Sequence, residues 1–286
     1  MPIEINNVSY IYNPGTPFET KALDHVCLQI DNAEFIGIMG HTGCGKSTLM
    51  QLIAGLLTPS DGQVFINGRD INDRRYDRNE LRRKVGVVFQ YPECQLFETT
   101  VYKDVAFGLK HAGLSKEQVT ERVRWALTAC GFQYEAVCSL SPMSLSGGEK
   151  RRVAIAGILA VQPDYLILDE PIAGLDPLGR EAFLQMLAQL HTQGVTILMI
   201  SHNADCIAEY TDRVLLFEAG RLLADGPTAN IFADIAQMRQ LRLGVSQSRE
   251  IAWLLSQGGI EIPDHICSYA QLLPTVLAAL KGGDGT

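Results

Sequence analysis

The chain of 286 residues is long enough for one large domain with a small appendage, or for two modest domains. Hydrophobic residues make up 47% and charged residues 20%, which excludes a disordered chain and allows a substantial core. A formal net charge of −8 argues against a nucleic-acid partner, since such proteins usually carry a basic face.

The seven cysteines are odd in number and form no C-x-x-C pair, so a disulfide framework or zinc site is not expected and a reducing cytosol is. The start of the chain has no basic region followed by an apolar stretch, and no run of about 18 apolar residues occurs, so neither a signal peptide nor a membrane span is expected.

In chain order, residues 3–10 and 22–30 alternate apolar and polar side chains as half-buried strands do, with a break at Asn13-Pro14-Gly15. Phe35 to Met39 is an apolar run expected to be a buried strand. Ser47 to Leu57 carries helical spacing. Ser60-Asp61-Gly62 signals a turn, and Gln63 to Ile66 followed by Asn67-Gly68 predicts a strand and hairpin turn. Arg74 to Lys84 is charged and expected to be a solvated surface segment. Val85 to Phe89 predicts a strand ending at Gln90.

Thr100 to Ala160 reads as helical, with helices expected over Lys116–Cys130 and Arg151–Val161. Tyr165 to Leu168 is a strand run that stops at Asp169-Glu170-Pro171. A helix over 180–193 and strands over 195–200 and 214–217 follow. Strands alternating with helices predict a mostly parallel sheet. Beyond Gly226 the chain is again helical, and Gly282 to Thr286 is expected to fray.

Between the run at 35–39 and the next helix lies GHTGCGKST, which fits the phosphate-loop pattern G-x-x-x-x-G-K-[ST] at Gly40, Gly45, Lys46 and Ser47. The glycines let several N–H groups converge on one phosphate, and the helix start adds free N–H groups and positive dipole. Lys46 can reach the β- and γ-phosphates and Ser47 can ligate Mg²⁺. Cys44, between these dipoles and Lys46, is expected to favour thiolate.

Asp169 and Glu170, at the end of LILDE, suit a metal-holding carboxylate and a base for the attacking water. His202 and Gln90 end strands in the same way, and a neutral imidazole at His202 could bond the γ-phosphate or that water. Leu145-Ser146-Gly147-Gly148-Glu149 opens another helix. It reads either as a helix cap or as a second anion cradle, one that serves the nucleotide of another chain.

These motifs together strongly resemble the ATP-binding cassette (ABC) ATPases, in order and over about Ile3 to Gly226. GHTGCGKST is similar to Walker A, Gln90 to the Q-loop glutamine, LSGGE to the signature and LILDE to Walker B. Ala173-Gly174-Leu175-Asp176 resembles the D-loop, Ser201-His202 the switch histidine, and Tyr12 the aromatic that stacks on adenine. The resemblance implies an α/β fold of the ABC-type P-loop NTPases. Its parts would be a mostly parallel sheet core, an N-terminal antiparallel β subdomain, an α-helical signature subdomain over about 95–160, and an ATPase domain over 1–226.

A small helical C-terminal extension over 227–286 would follow. The resemblance assigns ATP to Tyr12, to the loop residues Gly40, His41, Thr42, Gly43, Cys44, Gly45, Lys46, Ser47 and Thr48, and to Ser146, Gly147, Gly148 and Asp176. Of these, Ser146 and Gly148 would close over a partner's ATP. It assigns Mg²⁺ to Ser47, Gln90 and Asp169, and catalysis to Glu170 with His202 and Gln90. Ile172, where threonine is common, and Glu149, where glutamine is common, depart from the pattern without removing a phosphate or metal ligand.

A narrower resemblance is to the ATPases of energy-coupling factor (ECF) transporters, carried by GHTGCGKST, VGVVFQYPECQLFETTVYKDVAFG and SLSGGEKRRVAIAG. It implies a cassette at the cytoplasmic face of the cell membrane that powers uptake of vitamins or transition metals. Its partners would be a second cassette, identical or a paralogue, a transmembrane scaffold docked near Gln95, Leu96 and Phe97, and a separate membrane substrate-binding subunit. A short helix is expected from Gln95 onward, with Leu96 and Phe97 presenting apolar surface. Cys94 stands where aromatic or acidic residues are common.

The tail LGVSQSREIAWLLSQGGIEIP is similar to the start of the family's C-terminal extension. Leu273, Val276, Leu277 and Leu280 form an apolar helical stripe, read as a dimer contact or as packing on its own domain. Rival readings are the ATPase of another ABC importer, a soluble ABC ATPase acting on DNA or ribosomes, and a non-hydrolysing cassette. The FQYPECQLF segment, the lack of a coiled-coil insertion or second cassette, and intact Glu170 and His202 argue against them in turn.

Overall fold

Period-two alternation makes β1 (Ile3–Tyr12) and β2 (Thr20–Ile30) half-buried ribbons, paired antiparallel with Ile5 opposite Leu28 and Val8 opposite Val26. The computed structural model describes residues 2–110, 112–260 and 262–283, with side chains as far as Ala279. β3 (Phe35–Gly40) is buried at every residue, as a strand covered on both faces must be. It runs through the glycine loop into α1 (Lys46–Ile53), which stops short of the expected Leu57. β4 (Asp61–Ile66) and β5 (Arg69–Asp70) form a hairpin whose turn holds Asn67 and Gly68 at φ 57° and 71°.

The charged stretch expected only as solvated surface contains α2 (Arg78–Lys84). Asp77 caps it by accepting the Asn79 N–H, and Arg82, Arg83 and Lys84 complement the dipole in the last turn. Only Leu81 is buried, so apolar periodicity carried no signal there.

β6 (Val85–Val88) leads to a 3₁₀ turn at Pro92–Gln95 and then to the helical subdomain: α3 (Val101–Ala106), α4 (Lys116–Ala129), α5 (Tyr134–Val137) and α6 (Gly147–Leu159). Both α4 and α6 start with a capping box, Ser115 with Gln118 and Ser146 with Glu149. β7 (Tyr165–Asp169), α7 (Pro177–Thr192), β8 (Thr196–Ile200), α8 (Ala204–Tyr210) and β9 (Arg213–Glu218) follow in alternation.

β10 (Arg221–Pro227) was not legible in the sequence. It is an edge strand with no buried residue, returned by a turn in which Ala219 and Gly220 both have positive φ. The tail holds α9 (Thr228–Ala233), α10 (Ile235–Gln240), α11 (Gln247–Gln257) and α12 (Tyr269–Gly283). The fraying expected from Gly282 falls mostly on residues outside those described.

The strands form an antiparallel sheet, β2-β1-β4-β5, and a six-stranded sheet, β10-β9-β3-β8-β7-β6. In the latter, β9, β3, β8, β7 and β6 are mutually parallel, with β10 antiparallel on the edge. This is the ABC-type P-loop fold. Ile167 and Leu198 face the antiparallel sheet and α1, whereas Leu166, Leu168, Ile197 and Met199 face α6, α7 and α8.

Phe232 and Met238 are fully buried in that second core, so main-domain packing continues past Gly226 through α9 and α10. A small separate core of Ala252, Ile262, Ile266 and Leu272 holds α11 to α12. Val276 packs against it, while Leu273 and Leu277 are exposed, so the expected stripe is divided; the Leu280 side chain lies outside those described.

Candidate functional site

The phosphate loop has the only sequence its path allows at two points. A Cβ on Gly40 (φ 150°) would stand 2.3 Å from the Phe217 carbonyl oxygen, and one on Gly45 (φ 105°) 2.4 Å from that of Ala22. The loop is therefore pressed between β9 and β2. Lys46 is buried, and its ammonium donates to the carbonyl oxygens of Gly40 (2.5 Å) and His41 (2.8 Å), holding the loop curled.

Two loop side chains turn away from the phosphate side. Cys44 is 5% exposed, with Sγ 3.6 Å from Lys46 Nζ, so the thiol expected to be reactive is covered by its own loop. His41 Nε2 meets the carbonyl of Leu241, just after α10. Thr48 shares a hydrogen bond of 3.2 Å with the Tyr12 hydroxyl at the end of β1, and the Tyr12 ring meets Tyr10 edge-on at 4.8 Å.

The parallel sheet brings the remaining groups to the loop. β7 lies beside β8, so Asp169, Glu170 and His202 emerge at one sheet end, as strand ends in open α/β sheets do. Ser47 Oγ donates to Asp169 Oδ2 at 2.8 Å, although 122 residues separate them. Glu170 takes a left-handed conformation (φ 48°) and donates its N–H to Ile200 O at 3.0 Å. Its carboxyl is pushed up to about 6 by burial first and by the Asp169 charge second. Burial and the Lys46 charge hold His202 below its usual value, toward neutral imidazole. His202 Nε2 lies 3.4 Å from Glu170 Oε1 but without hydrogen-bond alignment, leaving that oxygen buried and unbonded.

Tyr12, the phosphate loop, Gln90, Asp169, Glu170 and His202 line one cavity of about 590 Å³. Thr20 and Ala22 of β2 and Ile200 of β8 also line it, and no local pattern in the sequence marked them. Ser47, Asp169 and Gln90 supply oxygen donors, the type Mg²⁺ takes. No group of three or more His, Cys, Asp or Glu able to hold a metal occurs among the described residues. The donor set fits an ion carried mainly by phosphate and water.

Ser146, Gly147, Gly148 and Asp176 do not line this cavity. Ser146 and Asp176 are N-caps of α6 and α7, and a Cβ on Gly147 or Gly148 would meet nothing within 4 Å, so that helix start is open.

The segment after Gln90 departs from expectation. The short helix ends at Gln95 instead of beginning there, because Pro92, with its fixed φ, sits at its first turn. Leu96 is extended and only 8% exposed, packed mostly into the core between sheet and helices, so it offers only a small part of its surface to the groove that Phe97 borders. Phe97 is 61% exposed and meets Phe107 edge-to-face at 4.8 Å. Both rings border a groove of about 370 Å³ between α6 and α3.

Residues 23–173 match the ABC transporter family. The chain is 45% identical over 283 residues, 99% of both chains, to the energy-coupling factor transporter ATP-binding protein EcfA2 of Caldanaerobacter subterraneus. It is 41% identical over 285 residues to the protein of that name from Clostridium perfringens, covering 99% of this chain and 100% of the other. Among solved structures it is similar to cbiO1 of Clostridium perfringens, described as part of the ABC transporter complex cbiONQ. That likeness has TM-score 0.74 and 35% identity, over 89% of this chain and 98% of that one. It is also similar to a dimeric ATP-binding cassette in a post-hydrolysis state bound to ADP and Pi, with TM-score 0.70 and 30% identity over 79% and 98% of the two chains. With Walker-type loop, strand-end carboxylates and full-length likeness in agreement, the chain belongs to the ATP-binding proteins of energy-coupling factor transporters, a branch of the ABC ATPases, and is an ATPase.

Proposed function

We propose that this ATPase energises uptake of vitamins or transition metal ions from the cytoplasmic face of the cell membrane, with cargo held by a separate membrane subunit. One observation carries the reading: the open signature helix start lies outside the cavity that the phosphate loop lines. A second cassette, identical or a paralogue, would lay its Ser146–Gly148 over this chain's nucleotide, and the two chains would sandwich two ATP molecules. The dimeric form of the similar ADP-bound cassette supports this arrangement.

In this reading the backbone N–H groups of the loop and the Lys46 ammonium hold the phosphates, Tyr12 supports the adenine, and Asp176 borders the closed site. Ser47, Asp169 and Gln90 would hold Mg²⁺, which neutralises phosphate charge when bound. Glu170, ionised at neutral pH, accepts the proton of the attacking water. Neutral His202, beside it, orients that water or the γ-phosphate.

The groove beside Phe97 and Phe107 suits an apolar helix of a transmembrane scaffold, a few residues from the nucleotide sensor Gln90. No described helix of this chain is long and apolar enough to cross a membrane. The description of the similar cbiO1 as part of an ABC transporter complex favours this reading over a cassette acting on nucleic acid. Affinity purification of the tagged chain from native membranes tests it. The expected co-purified set is a second cassette, a membrane scaffold and a small integral membrane protein. Recovery without any membrane subunit overturns the reading.

A further inference from the structure

The first turns of α6 carry a buried cation that the scheme above does not use. Arg151 is 4% exposed, in a helix whose other buried residues are apolar. Burying a guanidinium is costly unless its donors are matched, so its partners are informative. Nη2 donates to the Glu170 carbonyl oxygen at 3.0 Å, and Nη1 donates to that of Ala173. The Ala173 N–H closes the same short loop onto Glu170 O at 3.2 Å. The fork thus grips both ends of the turn that follows β7.

That turn is one of the places where the chain is strained. Glu170 holds φ 48°, which a non-glycine residue keeps only when its surroundings fix it. Its carbonyl accepts from the Arg151 guanidinium and from the Ala173 amide. On the other side lies the 3₁₀ turn after Gln90, packed on α6. Burial disfavours the Arg151 charge, and the Glu93 carboxylate in that turn is what offsets it. Glu93 Oε2 and Arg151 Nε are both buried and unbonded.

We propose that Arg151 is a positioning residue for ATP hydrolysis: it fixes the backbone of Glu170, and so aims its carboxyl, while the charge of Glu93, in the turn bordering the outer groove, balances the buried guanidinium. Signature helix, Q-loop turn and catalytic strand end thereby meet at one side chain. The inference rests on Glu170 acting as the base, and its test separates the two.

The test uses the full chain, comparing Arg151→Met, Arg151→Lys, Glu93→Gln and Glu170→Gln, and Arg151→Met combined with Glu170→Gln. ATP affinity, kcat, KM and thermal midpoint are measured, with kcat normalised to nucleotide-binding sites. A displacement of about 1 Å at a reacting group can cost on the order of 10²-fold. Arg151→Met is accordingly expected to lower kcat roughly 10- to 100-fold, with ATP affinity within about threefold. Arg151→Lys keeps the charge but lacks the planar fork. It is expected to restore the thermal midpoint while leaving kcat low. Glu93→Gln should lower kcat by a few fold.

In the Glu170→Gln background, Arg151→Met should cost little more, as groups acting as one unit are non-additive. Restoration of kcat by lysine, or effects that multiply in the double variant, overturns the proposal. Should the methionine variant fail to fold, lysine combined with Glu170→Gln reads the same coupling. Near-normal activity of Glu170→Gln would instead remove the base assignment itself.

Discussion

Glu170→Gln changes one atom type at a buried carboxyl and should have two opposite effects. The structure raises this carboxyl from its ordinary 4.5 to about 6, through burial first and Asp169 second. A folded-state value above the unfolded one means that the folded protein binds the proton more tightly. Stability from this group is therefore fully present below the unfolded value and is lost as pH rises through about 6. The rise corresponds to about 2 kcal/mol. The side chain is 18% exposed, so little of this is screened by solvent. Glutamine mimics the protonated form at all pH values.

The nucleotide-free, metal-free variant should thus exceed the parent in stability by up to about 2 kcal/mol at pH ~8, falling to a few tenths near pH ~4.5. Urea unfolding at the two pH values measures this. Over the same substitution ATP binding should persist and turnover fall roughly 10²-fold or more, because the proposed base for the attacking water is gone. A pH-independent stability difference would refute the electrostatic reasoning. Near-normal ATPase activity would refute the catalytic assignment.

Further outcomes follow from the same geometry. Cys44 is covered by its loop whereas Cys27 and Cys94 are exposed, so alkylation should inhibit ATPase activity only in a slow phase that MgATP suppresses. That phase should vanish in Cys44→Ser; its persistence would place the responsible thiol elsewhere. Phe97→Asp puts charge on an exposed ring, so stability should change by less than about 0.5 kcal/mol and ATP binding should stay intact. Co-purification with the membrane scaffold should nevertheless be lost, and normal assembly would show that the groove has another use. Truncation after Gly244, which spares buried Phe232 and Met238, should leave a folded cassette but weaken nucleotide-free self-association by sedimentation. An unchanged association constant would mean that exposed Leu273 and Leu277 do not contact a second copy.

The sequence by itself determined what depends on neighbours along the chain. Gly40 and Gly45 announce the phosphate loop because no other residue takes that path, and Lys46 bonds carbonyls five and six residues back. The buried runs at β3, β7 and β8 imply a covered parallel sheet, since only such strands are apolar on both faces. Apolar spacing made α4 and most of α6 legible, though α6 begins at Gly147 rather than Arg151, and α2 went unread because it has no apolar stripe.

Tertiary structure alone decided which face each side chain serves. Strand order sets Ser47 against Asp169 and Glu170 against His202, pairs that no spacing encodes. Packing takes Leu96 inward while leaving Phe97 out, and turns His41 toward the tail and Cys44 under its own loop. It also buries Arg151, which in the sequence is one more cation in KRR, where its guanidinium finds the carbonyls of Glu170 and Ala173. A side chain's environment is set by elements far away in sequence, and the local pattern of residues carries no record of them.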